Sequence, residues 1–497
     1  MDHIELLTVL FAMALVSSLI FTRQARSIGS RIGLVDQPDG RRKMHGRVVP
    51  LVGGISVFAS TVVVLSIAFL TPGPFAAAAA ADAKGLLGLL AGSVVICAVG
   101  VLDDSCKLRG RYKLLGQIAA AAIVMSSGVY VEVLSVFGWD VALGWLAVPF
   151  TLFWLLGAIN SLNLLDGMDG LLGTVGTIVC LAFAVMAAMF GQFSSACMAV
   201  ALAGALVGFL RYNAPPASVF LGDAGSMLVG LAIGSLAIRC SLKGPATVAL
   251  AAPAALLILP ILDTSAAVIR RKLTGRSIFT TDRGHLHHCL LRLGLSRARI
   301  LLLVSGLCLL TVLGALGSVA YRNEGLALLS AAAVVFILVA SGLFGCAEVM
   351  LMAKSFRDYA GSMIGTRVGR GLEVRLQGSA AWGELWQRLT ESADRLRLRS
   401  ISLDVNAPAH HEGYHARWRH PADKFGEEPN CWSAVILLTA WGQTIGQVAV
   451  TGHPDAEPVW QKLAALSQLT GGIERVLSER QPSAGFVEPL AAATAST

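Results

Sequence analysis

Residues 141–189 read VALGWLAVPFTLFWLLGAINSLNLLDGMDGLLGTVGTIVCLAFAVMAAM. Two apolar runs, 141–159 and 171–189, are each close to the ~20 residues that carry a helix across a hydrocarbon core. Between them lie Asn163, Asp166 and Asp169, with no Lys or Arg in the connection. Two spans joined by a short acidic turn set the class: a polytopic helical membrane protein whose polar chemistry sits at a membrane face. Outward from this stretch, comparable segments fall near 5–22, 51–70, 86–102, 114–131, 194–210, 226–241, 246–263, 300–320 and 327–345, which makes about eleven. Composition agrees. The chain is 55% hydrophobic and 14% charged, against about 25% charged in soluble domains.

Alternating sides along these segments sorts the connections into two sets. Residues 23–50, 103–113, 160–170, 211–225 and 264–299 carry 20 Lys and Arg; the opposite set carries only Lys84, Arg239, Lys243 and Arg322. The positive-inside rule places the first set in the cytoplasm, the N-terminus outside and the C-terminal region inside, as expected for a cell inner (plasma) membrane protein. The net charge of +8 belongs to this membrane part, so it points to anionic headgroups and not to nucleic acid. Nine cysteines stand singly without a C-x-x-C pair, which suggests neither a zinc site nor a disulfide framework. The N-terminus, Met1-Asp2-His3-Ile4-Glu5, lacks the basic n-region of a signal peptide and no small-residue cleavage site follows, so the first apolar run reads as a retained helix.

Beyond residue 345 the composition changes to 15 basic against 16 acidic residues. Leu372–Gln377 and Ile401–Val405 read as strands, and Trp382–Arg397 as a helix. Trp432–Ala440 and Thr444–Thr451 read as a hairpin, and Glu457–Glu479 as an amphipathic helix. The expectation is an all-α polytopic membrane domain over 1–345, a small cytoplasmic α+β domain over 346–480 and a disordered tail over 481–497.

Nine of the fifteen acids in the membrane part lie at the cytoplasmic face, eight in these connections and Asp263 at the end of the 246–263 span, and all nine are aspartates: Asp36, Asp39, Asp103, Asp104, Asp166, Asp169, Asp223, Asp263 and Asp282. Positive-inside topology does not collect aspartates; a metal-assisted phosphate site does, because short carboxylates suit a hard divalent ion. Five loops carry them. The first runs from Asp36-Gln-Pro-Asp39 through Arg41-Arg42-Lys43-Met-His45, and its cations suit phosphate. The second holds the Asp103-Asp104 pair and Lys113; such a pair at the end of an apolar helix is costly unless paired or metal-bound. In the third, Asn163, Asp166 and Asp169 are spaced by three and would share a face if helical; an N-cap and an Asp-Gly turn would account for Asp169 alone. The fourth is Gly222-Asp223-Ala-Gly225-Ser226, where Asp223 could equally be a simple N-cap. The fifth holds Asp263, Arg270-Arg271-Lys272 and Asp282-Arg283-Gly284-His285-Leu-His287-His288. With arginines on both sides and no suitably spaced cysteine, these histidines suit phosphate better than zinc.

In this order the five loops resemble the polyprenyl-phosphate N-acetylhexosamine-1-phosphate transferase family, over about residues 1–345. The Asp-Arg-Gly-His-Leu-His-His form resembles its N-acetylglucosamine-1-phosphate branch. The resemblance implies transfer from a UDP-N-acetylhexosamine to a polyprenyl phosphate lipid with release of UMP, dependent on Mg²⁺ with Mn²⁺ as a substitute. It assigns Asn163 and Asp223 to the metal and Asp103, Asp104, Asp166 and Asp169 to catalysis. It assigns Lys43, His45, Lys113, Arg283, His285, His287 and His288 to substrate and diphosphate. A homodimer is compatible with it. The rival class is a membrane transporter, but carriers place polar residues near mid-bilayer on broken helices, often in repeated halves. These motifs gather at one interface.

Overall fold

The structure, a computed structural model, describes residues 3–36, 48–136, 139–242, 251–273, 284–345, 349, 352, 371–372, 380–407, 412–420, 431–440, 443–453 and 458–479. Two compact units make up the chain: 1–37, 48–265 and 293–341 form one, and 38–47, 266–292 and 342–497 the other.

In the first unit, α1 (His3–Ile32) leads through a two-stranded ribbon, β1 (Val35–Asp36) with β2 (Val49–Pro50), into α2 (Gly53–Leu70), α3 (Pro74–Ala81), α4 (Ala83–Cys106) and α5 (Gly110–Ser126). A hairpin of β3 (Val133–Val136) and β4 (Trp139–Ala142) precedes α6 (Ala147–Leu165), α7 (Leu171–Met189), α8 (Phe193–Asn213) and α9 (Gly222–Leu242). α10 (Ala251–Leu256) and the start of α11 (Ile258–Leu273) follow; the end of α11 and α12 (Leu286–Arg292) belong to the second unit, and α13 (Arg297–Tyr321) and α14 (Glu324–Ala340) to the first. Among the described residues eight helices are long and apolar enough to cross a membrane, so this is a multi-pass membrane protein. The apolar windows of α8 and α9 are 83% and 89% buried, that of α1 only 17%. A helix apolar on every side and buried by protein is central; α1, with its outward Val9, Val16 and Ile20, is left to face lipid.

The remaining expected segments are shorter. α5 and α14 have 17 residues each. The 246–263 segment is broken: α10 ends at Leu256 and α11 starts at Ile258, with 246–250 outside the described residues. Pro260 explains the break, since it has no N–H to donate to the Leu256 carbonyl. The helix expected over 114–131 begins earlier, at Gly110, and stops at Ser126, where Gly128 turns left-handed at φ 97°. The apolar residues that follow form the β3–β4 hairpin, where Val136 pairs with Trp139. Trp139 and Trp145 are 79% and 83% exposed, as tryptophans at a lipid–water interface are.

The C-terminal part of the second unit is a five-stranded antiparallel sheet in the order β5-β7-β6-β9-β8. Its strands are β5 (Gly371–Leu372), β6 (Leu398–Ala407), β7 (Glu412–Arg419), β8 (Trp432–Ala440) and β9 (Gln443–Gly452). Helices α15 (Ala380–Arg395) and α16 (Val459–Glu479) complete it. Trp382, Leu385, Trp386, Leu389 and Ala393 recur at helical spacing and are buried against Ile401, Leu403, Val405, Val448 and Val450, which alternate along β6 and β9. β7 is the strand not expected from sequence: its Glu412-Gly-Tyr-His-Ala-Arg-Trp-Arg reads as polar, yet Tyr414 and Ala416 alternate into the core.

Candidate active site

α4, α5, α6 and α9 of the first unit bring their ends together, and the acids lie at those ends rather than at mid-helix. Three close backbone contacts make this possible. A Cβ on Gly54 at the start of α2 would lie 2.2 Å from the Gly225 nitrogen, and one on Gly100 would lie 2.2 Å from the Ala224 Cα. Gly222 stands at φ 73°, its missing Cβ facing the Asp104 carboxylate at 2.6 Å. Backbone bonds from Gly53 N–H to the Phe220 carbonyl (3.0 Å) and from Gly54 N–H to the Leu221 carbonyl (2.8 Å) fix the start of α2 to the loop before α9.

Asp103 and Asp104 occupy the last turn of α4, where the helix dipole disfavours negative charge. Each finds a different compensation. The chain reverses after Lys107, left-handed at φ 50°, and returns as α5 with Lys113 in its first turns. Lys113 Nζ then lies 2.8 Å from Asp103 Oδ2 and 2.9 Å from Asp223 Oδ1. Leu108 N–H donates to Asp103 Oδ1 at 2.8 Å. Asp104 instead accepts the backbone N–H of Asp223 on Oδ1 (2.9 Å) and that of Ala224 on Oδ2 (3.3 Å). These are orphan donors of the α9 N-terminus, so Asp104 caps α9 from another helix. Asp223 is consequently not a self-contained N-cap; it projects from the first turn of a helix capped by Asp104.

Asn163, in the last turn of α6, donates Nδ2–H to Asp223 Oδ1 at 2.8 Å. Asp103, Lys113, Asn163 and Asp223 thus form one cluster. The helix expected to put Asn163, Asp166 and Asp169 on one face ends at Leu165, with Asp166 as its C-cap. Asp169 therefore points elsewhere: its Oδ2 accepts Ala217 N–H at 3.1 Å and pairs with Arg297 Nη1 at 3.2 Å. Burial, reinforced by the charges of Asp223, Asp104 and Asp169, holds the Asp166 carboxyl well above the usual carboxylate range.

The histidines belong to the second unit. His285 and His287 are buried and stack at 6.2 Å between ring centroids, 6° from parallel, and His287 meets His288 at 4.2 Å. Buried Arg270 packs on Gly284, where a Cβ would lie 2.3 Å from the guanidinium carbon. Lys43, His45 and Arg283 lie outside the described residues.

Several contributors carried no role in the sequence reading. Arg297 counted only as positive-inside charge. Asn213, visible in the fourth loop, links two loops by accepting Gly170 N–H (2.9 Å) and donating to the Val219 carbonyl (2.9 Å). Gln117 and Asn160 exchange amide hydrogen bonds of 3.3 and 2.9 Å one layer below the acids.

No group of three or more His, Cys, Asp or Glu side chains poised to hold an ion occurs among the described residues. Mg²⁺ needs fewer, because it keeps several waters and is commonly held by one or two carboxylates plus substrate oxygens. Asp103 and Asp223, joined by the Asn163 amide, already converge on a cationic centre at 2.8 and 2.9 Å. An all-oxygen donor set of this kind fits a hard divalent ion.

Residues 86–241, which include Asp103, Asp104, Lys113, Asn163, Asp166, Asp169 and Asp223, match the family described as Glycosyl transferase family 4. A Bacillus subtilis protein named probable undecaprenyl-phosphate N-acetylglucosaminyl 1-phosphate transferase is 30% identical over 300 residues, 60% of this chain and 81% of its own. The undecaprenyl-phosphate alpha-N-acetylglucosaminyl 1-phosphate transferase of Yersinia pestis is 32% identical over 311 residues, 60% of this chain and 81% of its own. A decaprenyl-phosphate N-acetylglucosaminephosphotransferase of Mycobacterium tuberculosis is 29% identical over 345 residues, 64% of this chain and 84% of its own. With these relatives and the acidic helix-end cluster inside the matched segment, the chain belongs to glycosyl transferase family 4, the family of polyprenyl-phosphate sugar-1-phosphate transferases.

Proposed function

We propose that this protein transfers N-acetylglucosamine-1-phosphate from UDP-N-acetylglucosamine to a polyprenyl phosphate such as undecaprenyl phosphate, releasing UMP and starting a cell-envelope glycan. One observation carries the reading: Asp103, Lys113, Asn163 and Asp223 converge at the first turn of α9 in a member of this family. The charge asymmetry of the loops supports an inner-membrane enzyme with this cluster and the C-terminal domain at the cytoplasmic face. We read α5, α14 and the α10–α11 pair as completing about eleven spans. The C-terminal domain contributes none of the assigned groups and is read as accessory.

In the reaction an oxygen of the lipid phosphate attacks the sugar-bearing phosphorus of the donor, the bond to the UMP oxygen breaks and UMP leaves. Phosphoryl transfer depends on positioning and charge neutralisation more than on covalent help from the protein. Asp223 and Asn163, with Asp103 beside them, would hold Mg²⁺, or Mn²⁺ in its place; when bound it would neutralise the diphosphate and the leaving UMP. Phosphate monoesters lose their second proton near pH ~6, so the acceptor is mostly dianionic at neutral pH and needs little base catalysis. Asp104 has both oxygens committed to the α9 backbone. One oxygen of Asp103 is held by the side chain of Lys113, which can move, so orienting the acceptor and accepting any residual proton are assigned to Asp103. Asp166, near enough to feel the charge of Asp223, is assigned to organising the metal and nucleotide, and Asp169, tied to Arg297 and to the Ala217 N–H, sets the third loop against the fourth. For His285, His287, His288, Lys43, His45 and Arg283 the family resemblance implies a part in binding the diphosphate.

The test is purified protein in detergent with polyprenyl phosphate, Mg²⁺ and a panel of UDP-sugars. UMP release is expected with UDP-N-acetylglucosamine and only when lipid and metal are both present. Release of UMP without the lipid would make the protein a hydrolase and refute the reading.

A further inference from the structure

The place between the Asp103 and Asp223 carboxylates is held by a cation that belongs to the chain. Lys113 Nζ spans them at 2.8 and 2.9 Å. Among the described residues no other basic side chain pairs with either acid; Asp223 also accepts the neutral Asn163 amide, Asp103 accepts the Leu108 N–H, and the two carboxyl groups are within hydrogen-bonding reach of each other. Mg²⁺ approaches its oxygen ligands to about 2.0–2.1 Å. An ion bridging Asp103 Oδ2 and Asp223 Oδ1 would therefore stand where the ammonium now stands, and the two cannot share the site. Lys113 can leave. It rises from the first turns of α5 on a flexible four-carbon stem, and its side chain is 20% exposed, so a route to the aqueous face is open.

We propose that Lys113 is a tethered counter-ion: it holds the Asp103–Asp223 pair together before metal arrives, and swings out as the divalent ion takes its place. The released ammonium then faces the aqueous side, where diphosphate oxygens would meet it. Lys113 is on this view a positioning residue whose location reports metal occupancy. The inference rests on the metal reading above and goes beyond it by making metal entry an exchange of cations.

Two measurements on the full chain in detergent, without substrates, test it. In the first, wild-type protein is acylated briefly with an amine-reactive succinimidyl ester, in EDTA or in Mg²⁺, and modification is mapped by mass spectrometry. Lys113 acylation should rise severalfold with Mg²⁺, while Lys107, exposed in the turn before α5, should not change. In the second, Mn²⁺ binding is followed by electron paramagnetic resonance for wild type, Lys113→Met and Lys113→Arg. Removing the competing charge should tighten Mn²⁺ binding roughly tenfold in Lys113→Met, the size of one charge–charge contact at a partly exposed site. Lys113→Arg keeps the competing charge and should stay near wild type. Thermal unfolding in EDTA confirms that each variant is folded, with Lys113→Met the least stable there and recovering most when Mg²⁺ is added. Lys113 acylation insensitive to Mg²⁺, or equal Mn²⁺ affinity in wild type and Lys113→Met, overturns the exchange while leaving the metal site standing. Failure of the wild type to bind Mn²⁺ at all overturns both.

Discussion

Replacing Asp104 separates a helix cap from a catalytic base. Its Oδ1 accepts the Asp223 N–H at 2.9 Å and its Oδ2 accepts the Ala224 N–H at 3.3 Å. Asp104→Asn keeps one acceptor oxygen and turns an NH₂ group toward the second backbone N–H. One charge-assisted bond, worth about 1.5–3 kcal/mol, is lost and the other falls to the neutral value of about 0.5–1.5 kcal/mol. Because the 3.3 Å contact is the longer and weaker, the loss should total about 2–3 kcal/mol. Asp104→Ala removes both acceptors and leaves two donors at a packed helix end, which raises the cost to about 3–5 kcal/mol. Since Asp223 projects from that same turn, a loosened cap also misplaces the proposed metal ligand. Unfolding of detergent-purified protein, followed by tryptophan fluorescence, should show midpoints ordered wild type, Asn, Ala. UMP release measured well below those midpoints should be impaired in Asp104→Asn and partly restored by excess Mg²⁺. An unchanged midpoint, with turnover lost about a thousandfold at every Mg²⁺ concentration, would refute the capping role: deleting a proton-transfer group costs ~10²–10⁴ in rate without touching stability.

Three further outcomes follow from the same geometry. Asp166 has its carboxyl raised by burial and by Asp223, Asp104 and Asp169. Ionising it therefore costs stability that is fully present below the unfolded value of about 3.9 and is lost as pH rises through the folded one. In EDTA, Asp166→Asn should have the higher thermal midpoint at neutral pH, an advantage that disappears toward pH 4, while its turnover falls; an advantage that persists unchanged in acid would contradict the assignment. Gly54→Ala puts a methyl 2.2 Å from the Gly225 nitrogen. Relief requires α2 and α9 to part, so the variant should lose at least about 1–3 kcal/mol and most of its activity, as read by thermal unfolding and UMP release. A chain truncated after Arg357 retains every assigned group and should keep basal UMP release; a truncation that is thermally stable yet inactive would place the C-terminal domain in the active site.

The spans were legible because lipid leaves the chain little choice: apolar runs of the required length must become helices. Where the run was short or punctuated, the sequence misled. The expected spans 114–131 and 141–159 run too far toward each other: Gly128 ends α5, and the β3–β4 hairpin takes up residues 133–136 and 139–142, including the first two of the second span. Pro260 breaks the span expected over 246–263, because a proline inside an apolar run leaves its hydropathy high while removing a helix hydrogen bond. In the C-terminal domain, alternation exposed β6, β8 and β9, whereas β7 hid its two inward residues among arginines and a histidine. At the site, residue types and loop order pointed to the acids, yet nothing local distinguished Asp103 from Asp104. Their separation depends on which carboxylate meets Lys113, ten residues on, and which meets the backbone of Asp223, over a hundred residues on. Arg297 was invisible for the same reason, since its partner Asp169 lies across the fold.

The decisive measurement follows the phosphorus. Wild-type protein and Asp223→Asn, each verified as folded, are given UDP-N-acetylglucosamine labelled in the sugar-bearing phosphate, together with polyprenyl phosphate and Mg²⁺. The label should pass into the organic phase as a polyprenyl diphosphate sugar, in step with UMP release, in the wild type and not in Asp223→Asn. Label that remains aqueous as sugar-1-phosphate, or transfer undiminished in Asp223→Asn, would contradict a transferase built around this cluster.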